Sequence, residues 1–176
     1  VDEKGKNTIV VAPGANYDLS PEQVEYSNAF FEKTNVLLLQ NEIPLAVNLA
    51  AMKKAKAMGH TIIYDPAPYK NLDPSFYPLI DFLLPNETEL MELVPGEGSL
   101  EAKSQILLEK GVKSVIVTLG AKGAFLARKD TAPIFIPAPK VKAISTVGAG
   151  DCLAGYFASG ISQGKEPFLS LTDAVK

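Results

Sequence analysis

The chain holds one cysteine, Cys152, and one histidine, His60. A single cysteine excludes an internal disulfide and fits a reducing cytoplasm. His60 has no cysteine or carboxylate at metal-ligand spacing, so it reads as a structural or surface residue, and no Ser-His-Asp or Cys-His arrangement can be assembled around it. Charge of one sign is also scarce. Seventeen Lys and Arg against twenty Asp and Glu leave a net charge of −3, which gives no basic footprint for nucleic acid. No apolar run approaches the ~20 residues of a membrane span. The first residues, Val1 to Lys6, lack the apolar core of a signal peptide, and Val1 stands where an initiator Met would, so translation need not start here. Repeats, low-complexity tracts and a domain linker are all missing. No Gly-x-Gly-x-x-Gly follows the first apolar strand, which disfavours a dinucleotide-binding oxidoreductase.

What the chain does have is an ordinary globular composition: 176 residues, 47% hydrophobic and 21% charged, enough for one domain with a sizeable core. Strand and helix signals alternate along it. Asn7–Ala12 reads as a strand closed by Pro13-Gly14, with Asn16 in the turn beyond. Ser20-Pro21-Glu22-Gln23 is a capping-box helix start, and the helix should run to about Lys33. Val36–Gln40 is a continuous apolar run of the kind buried on both faces. A helix from about Pro44 to Met58 stops at Gly59, and Thr61–Tyr64 forms the next strand. Phe82–Leu84, Ser114–Leu119, Ala124–Arg128 and Ile134–Ile136 follow as strands. Helices are expected over Glu87–Val94, from the Ser99 cap to Lys110, and from Gly150 to Gln163. Such alternation predicts an α/β fold, a three-layer sandwich around a mostly parallel sheet. Ligands of such sheets bind beyond the carboxyl ends of the strands. Gln40-Asn41-Glu42, Asp65–Pro68, Pro85–Glu89, Thr118-Leu119-Gly120 and the Gly148–Asp151 turn fall there.

The stretch Ala143–Gly155 organises the rest. Its glycines, Gly148 and Gly150, remove Cβ atoms that would block a tight turn or a close ligand. The N–H groups of the turn and of the first helical turn lack internal partners and suit a phosphate or a developing oxyanion. Asp151 sets one carboxylate beside them. Donors with one adjacent base are what phosphoryl transfer to a hydroxyl needs. The same residues would also make an ordinary loop with Asp151 as an N-cap. Asn86 and Glu89 share a helix face and could orient phosphate oxygens and a hydrated Mg²⁺, or simply cap the helix. Thr118 with Gly120 and Gly123 forms a strand end and a Gly turn. Glu42, at a strand's carboxyl end, can accept bonds from sugar hydroxyls or stand as a solvated loop acid. Cys152 is expected to be a small buried helix residue, and Lys122 a solvated turn lysine.

Taken together, Thr146-Val147-Gly148-Ala149-Gly150-Asp151 resembles the Asp-Thr-x-Gly-Ala-Gly-Asp signature of the phosphofructokinase-B (PfkB) type carbohydrate kinases, with Ser145 in place of the first Asp. Asn86-Glu87-Thr88-Glu89 resembles that family's Asn-x-x-Glu motif. Within the family, Thr118–Gly123, Pro66-Ala67-Pro68 and Gln40-Asn41-Glu42-Ile43-Pro44 resemble the ribokinases. The resemblance implies ATP-dependent phosphorylation of D-ribose to D-ribose 5-phosphate. Asp151 is then the base, the Gly148-Ala149-Gly150 amides the anion hole, and Glu42 with Asp151 the sugar contacts. Asn86, Glu89, Thr118, Gly120 and Gly123 would serve the nucleotide, with Mg²⁺ held near Asn86 and Glu89 through water. An activating K⁺ at Ser145 and Val147 is put in question by the missing Asp. The resemblance also implies a cytoplasmic homodimer and a partial kinase domain over residues 1–176. The family's sugar-binding and lid half would precede it and a last segment would follow it, so the chain alone should have little activity. Two other readings stay open: another PfkB sugar or nucleoside kinase, and a nucleotide-binding remnant without catalysis.

Overall fold

A computed structural model of the chain describes residues 11–176. Residues 7–10 of the expected first strand lie outside the described residues, and Val11 and Ala12 are irregular. A 3-10 turn over Gly14–Asp18 holds Asn16 through its N–H bond to Pro13 O.

The helix begun at Ser20 keeps its capping box but breaks early, into α1 (Pro21–Glu25) and α2 (Asn28–Phe31). At the break the Ser27 N–H bonds back to Val24 O and its hydroxyl donates to Gln23 O, and such local bonds compete with the helical ladder. Strand β1 (Val36–Leu39) leads into α3 (Leu45–Ala57) and β2 (Thr61–Tyr64). Then come β3 (Phe82–Leu83), α4 (Glu87–Leu93), α5 (Leu100–Glu109) and β4 (Ser114–Thr118). An antiparallel meander, β5 (Gly123–Arg128) and β6 (Ile134–Pro137), precedes α6 (Ala149–Ser162) and α7 (Pro167–Ala174). Helix α7 is an element the sequence reading leaves out. Glu166 caps it by accepting the Leu169 N–H, and Pro167 fills the first position, where its missing N–H costs nothing.

The six strands lie in chain order, parallel from β1 to β4 and antiparallel from β4 to β6. Side chains alternate across the sheet. Ile62, Tyr64, Val115 and Val117 pack under α3, α4 and α5 on one face; Ile63, Ile116 and Leu126 pack under α6 and α7 on the other. Each such side chain, fully buried, contributes about 1.5–3 kcal/mol. The result is the three-layer sandwich that the alternation predicts. Strand β1 departs from expectation: it pairs with β2 alone among the described residues, and its Leu38 is exposed rather than buried.

After the meander the chain returns along the other face, and α6 lies against β1. Asn35 Nδ2, before β1, donates to Ser162 O at the end of α6 over 2.8 Å, while Gln40, after β1, reaches Asp151 in the first turn of α6. Helix and strand therefore run antiparallel, and the start of α6 meets the carboxyl end of β1.

Candidate active site

The carboxyl ends of the parallel strands are joined by a buried polar network. The Asp65 N–H donates to Leu39 O and the Asn41 N–H to Ala67 O, extending the β1–β2 pairing beyond the strands. Asn41 Nδ2 donates to Pro66 O over 2.9 Å, and the Tyr64 hydroxyl donates to Asn41 Oδ1. From α3, Asn48 Nδ2 donates to Gln40 O over 2.8 Å and to the Tyr64 oxygen over 3.3 Å. Asn41 and Asn48 are wholly buried, and these bonds replace water at both ends of the Asn41 amide and at the Asn48 NH₂, while Asn48 Oδ1 is left without a partner among the described residues. Burial pushes the Tyr64 phenol well up, which keeps it a neutral donor.

Two carboxylates converge on this frame. Gln40 Nε2 donates to Asp65 Oδ2 over 2.8 Å and to Asp151 Oδ1 over 2.9 Å. Burial raises the Asp65 pKa; bonds from Gln40 and the Ala67 N–H oppose the shift, and the charges of Asp151 and Glu42 add to it. Glu89 is also raised by burial, against the Asn86 N–H bond and with a further push from Asp65. Asp65 thus sits electrically between Glu42, Asp151 and Glu89.

Gly148 takes φ of +77°, a left-handed turn that launches α6. The Ala149 N–H turns back to Thr146 O at 3.3 Å, and the Cys152 N–H takes Gly148 O. The N–H groups of Gly150 and Asp151 have no backbone acceptor among the described residues. Of the Gly148-Ala149-Gly150 set expected from sequence, only the Ala149 N–H is thus engaged; the Gly148 N–H, like those of Gly150 and Asp151, has no backbone acceptor among the described residues. Asp151 is exposed, in the first turn, beside them. Cys152 is exposed too, not buried, because α6 presents Ala154 and Phe157 inward and Cys152 is out of step with that face.

Asn86 and Glu89 form a reciprocal capping box at α4: the Glu89 N–H donates to Asn86 Oδ1 at 2.9 Å and the Asn86 N–H to Glu89 Oε2 at 2.8 Å. Glu89 Oε1 and Asn86 Nδ2 lie outside the box. Among the described residues no three Asp, Glu, His or Cys side chains group to hold a metal. One carboxylate and one amide suit Mg²⁺ that keeps its waters and rides on phosphates, better than a caged ion.

Thr118 adjoins this helix start, bridging to Asn86, with its N–H on Pro85 O at 2.9 Å. Gly120 (φ +55°) and Gly123 (φ +115°) shape the turn into β5. Lys122 is exposed, 3.5 Å from the Glu87 carboxylate. Glu42 is exposed and makes no hydrogen bond or ion pair among the described residues. Ser145 Oγ accepts the Val147 N–H at 3.3 Å in an exposed loop, so its oxygen is engaged within its own turn. A groove of about 760 Å³ lined by Tyr69, Asn71, Leu72, Asp73, Tyr77 and Lys110 contains none of these motif residues.

The structure thus aligns Glu42, Asp65, Asn86 with Glu89, and Thr118 along one sheet edge, and joins Asp151 to it through Gln40. Gln40 and Asp65 are the site residues that sequence reasoning did not single out. Their signal is position, at the ends of adjacent parallel strands, and for Gln40 also its place in the Gln40–Pro44 run; bonds between residues 25 and 111 positions apart leave no trace in spacing.

Comparison with known proteins agrees. The model of the pfkB family carbohydrate kinases matches residues 1–176. The chain is 36% identical to a ribokinase of Staphylococcus aureus over 99% of its own length and 58% of that protein's. It is 35% identical to a deoxyribokinase of Salmonella typhi over 90% of the chain and 53% of that protein. A structure of Arabidopsis thaliana ribokinase complexed with ribose and ATP superimposes with a TM-score of 0.84 at 31% identity, covering 97% of the chain and 57% of that protein. The chain accordingly spans a little over half the length of the relatives it matches. With a matching family model along its whole length and a three-layer fold shared with solved ribokinases, the chain belongs to the pfkB family of carbohydrate kinases.

Proposed function

We propose that the full-length protein carrying this chain transfers the γ-phosphoryl group of ATP to the 5-hydroxyl of D-ribose. The observation that carries this reading is Asp151, ionisable and exposed in the first turn of α6, beside the unpartnered N–H groups of Gly150 and Asp151. Asp151 Oδ2 takes the hydroxyl proton as the sugar oxygen forms its bond to phosphorus, and the bond to ADP breaks with its electron pair left on ADP. A carboxylate is a weak base, tolerable where the proton leaves late. The free amides of the α6 turn, at the positive end of the helix dipole, stabilise charge on the transferring group. Glu42, at the end of β1, binds sugar hydroxyls. Asn86 Nδ2, Thr118 and the Gly120–Gly123 turn bind the nucleotide. Mg²⁺ near Glu89 would neutralise phosphate charge, held largely by phosphates and water. An activating K⁺ would sit at Ser145 and Val147, where Ser145 lacks the charge of the family's Asp. A cytoplasmic homodimer is part of the same proposal.

The deoxyribokinase relative supports a second reading, 2-deoxy-D-ribose as acceptor. The test is a coupled ADP-release assay on the full-length protein with ribose, 2-deoxyribose and a nucleoside. Turnover on ribose, lost by 10³-fold or more in Asp151→Asn, is the expected result. Turnover unaffected by that substitution, or Mg-ATP binding with no transfer to any acceptor, would reject it. The 176-residue chain alone is expected to turn over little.

A further inference from the structure

Among the described residues the Gln40 side chain is the only group that hydrogen-bonds the Asp151 carboxylate. Its NH₂ has two hydrogens, and the two acceptors are on different carboxylates: Asp65 Oδ2 at 2.8 Å and Asp151 Oδ1 at 2.9 Å. Without a shared donor, those two like charges would repel across the gap Gln40 fills. The donor is itself held. The main-chain oxygen of Gln40 accepts from the buried Asn48, and the next residue, Asn41, is tied to Tyr64 and Pro66, so the backbone that carries the amide is fixed. Asp65 is 8% exposed and fixed by the Ala67 N–H at 3.1 Å. Asp151, by contrast, is exposed on a helix start that follows a long irregular loop, and nothing else described restrains its carboxylate. One oxygen of Asp151 is occupied, and the other has no hydrogen-bond partner among the described residues.

We propose that Gln40 is a positioning residue, its amide bridging Asp65 and Asp151 so that Asp151 holds one rotamer with a single oxygen free to meet the acceptor hydroxyl. Gln40 touches neither substrate in this scheme; it acts through Asp151. Asp65 is the fixed anchor from which the base is aimed. The inference rests on the phosphotransfer reading for its kinetics, though not for its geometry.

Two variants of the full-length protein test it. Gln40→Leu removes both hydrogen bonds, and Gln40→Glu keeps the size but replaces the donor with a third carboxylate. Both should lower kcat on the order of 10- to 100-fold, the scale of a misplaced catalytic group, while KM for ATP stays within about twofold. Crystals of Gln40→Leu should show the Asp151 carboxylate away from its wild-type rotamer. If Gln40→Leu does not fold, the isosteric Gln40→Glu carries the test. A kcat within about twofold of wild type in both variants overturns the proposal, as does a parallel rise of KM for ATP, which would mark a general structural role. Should the wild type transfer phosphate and lose turnover in Asp151→Asn, failure in the Gln40 variants sinks this inference alone. Should the wild type phosphorylate no sugar, the phosphotransfer reading falls, and the rotamer of Asp151 in Gln40→Leu decides the bridge by itself: unchanged, it overturns the bridge; displaced, it upholds it.

Discussion

Gly123 is in a place no other residue can take. Its φ is +115°, and a Cβ there would stand 2.0 Å from Ile136 O, 2.7 Å from Ala138 N and 2.9 Å from Pro137 C, all backbone of the neighbouring strand and its exit. Gly120, three residues earlier, has φ of +55° and open space around it. The same change therefore separates two costs. Gly120→Ala incurs only the left-handed strain, about 1 kcal/mol. Gly123→Ala adds a clash with rigid backbone and should cost about 3 kcal/mol or more. Urea unfolding of the two variants measures the difference, and equal losses would refute the clash. The two glycines were legible in the sequence as a turn, since a strand end followed by Gly-x-x-Gly needs positive φ. That one of them also admits a neighbouring strand was not, because the partner, Ile136, is set by the register of β5 on β6.

Helix starts show the same division at the scale of elements. The α4 start could be read twice over, as a cap and as a phosphate motif; the structure shows the cap, and the phosphate role is the one proposed above. The capping box uses Asn86 Oδ1 and Glu89 Oε2, which leaves Asn86 Nδ2 and Glu89 Oε1 for the proposed nucleotide role. Asn86→Asp separates the roles. Asp caps as well as Asn, so stability should stay within about 0.5 kcal/mol. A second negative charge in place of an amide donor should raise KM for ATP about tenfold, the worth of one hydrogen bond to a charged group. An unchanged KM would leave Asn86 a cap and nothing more. The strand β2 was read to the residue because Gly59 and Asp65-Pro66 bound a β-branched run. The helix after Ser20 was read too long: its start signal is local, whereas its end depends on Ser27, whose hydroxyl takes a carbonyl from within the helix. Cys152 was misplaced for a related reason. Its exposure follows from which face of α6 meets the sheet, and the short motif around it does not carry that phase.

At the scale of the molecule, the two ends of the sheet treat buried acid in opposite ways. Asp65, at the carboxyl end, is raised chiefly by burial, and the nearby charges of Asp151 and Glu42 add to it. Asp81 lies at the amino end, before β3. Burial pulls its pKa up, but hydrogen bonds from Lys113, Lys56 and the Ile62 N–H outweigh it, and the net shift is downward. Lys56 Nζ stands 2.5 Å and Lys113 Nζ 2.8 Å from its oxygens, joining the end of α3, β2 and the start of β4. The signs follow from proton linkage. For Asp65 the folded state holds the proton more tightly. Stability is therefore greatest below the ordinary carboxylate value of 3.8 and is lost as pH rises through the raised folded value. For Asp81 the unfolded chain holds the proton more tightly. Its contribution is present above 3.8 and is lost as pH falls through the lowered folded value. Asp65→Asn should then stabilise the protein at pH 7, and Asp81→Asn should destabilise it, by about 1–3 kcal/mol for the charge-assisted bonds it forfeits. The Asp65 difference should shrink as the pH is brought down toward the ordinary carboxylate value of 3.8, whereas the Asp81 difference should persist there and shrink only as the pH falls further, through its lowered folded value. Denaturant unfolding of the two variants against wild type at pH 7, 5 and 3.5 checks this. A destabilising Asp65→Asn would mean that the carboxylate at the carboxyl end of the sheet contributes to folding, and that its burial is no concession to chemistry. A stabilising one would mark that end as the place where folding stability is given up so that acids can stand together over the strand ends, with the lysine-bound Asp81 holding the opposite end of the same sheet.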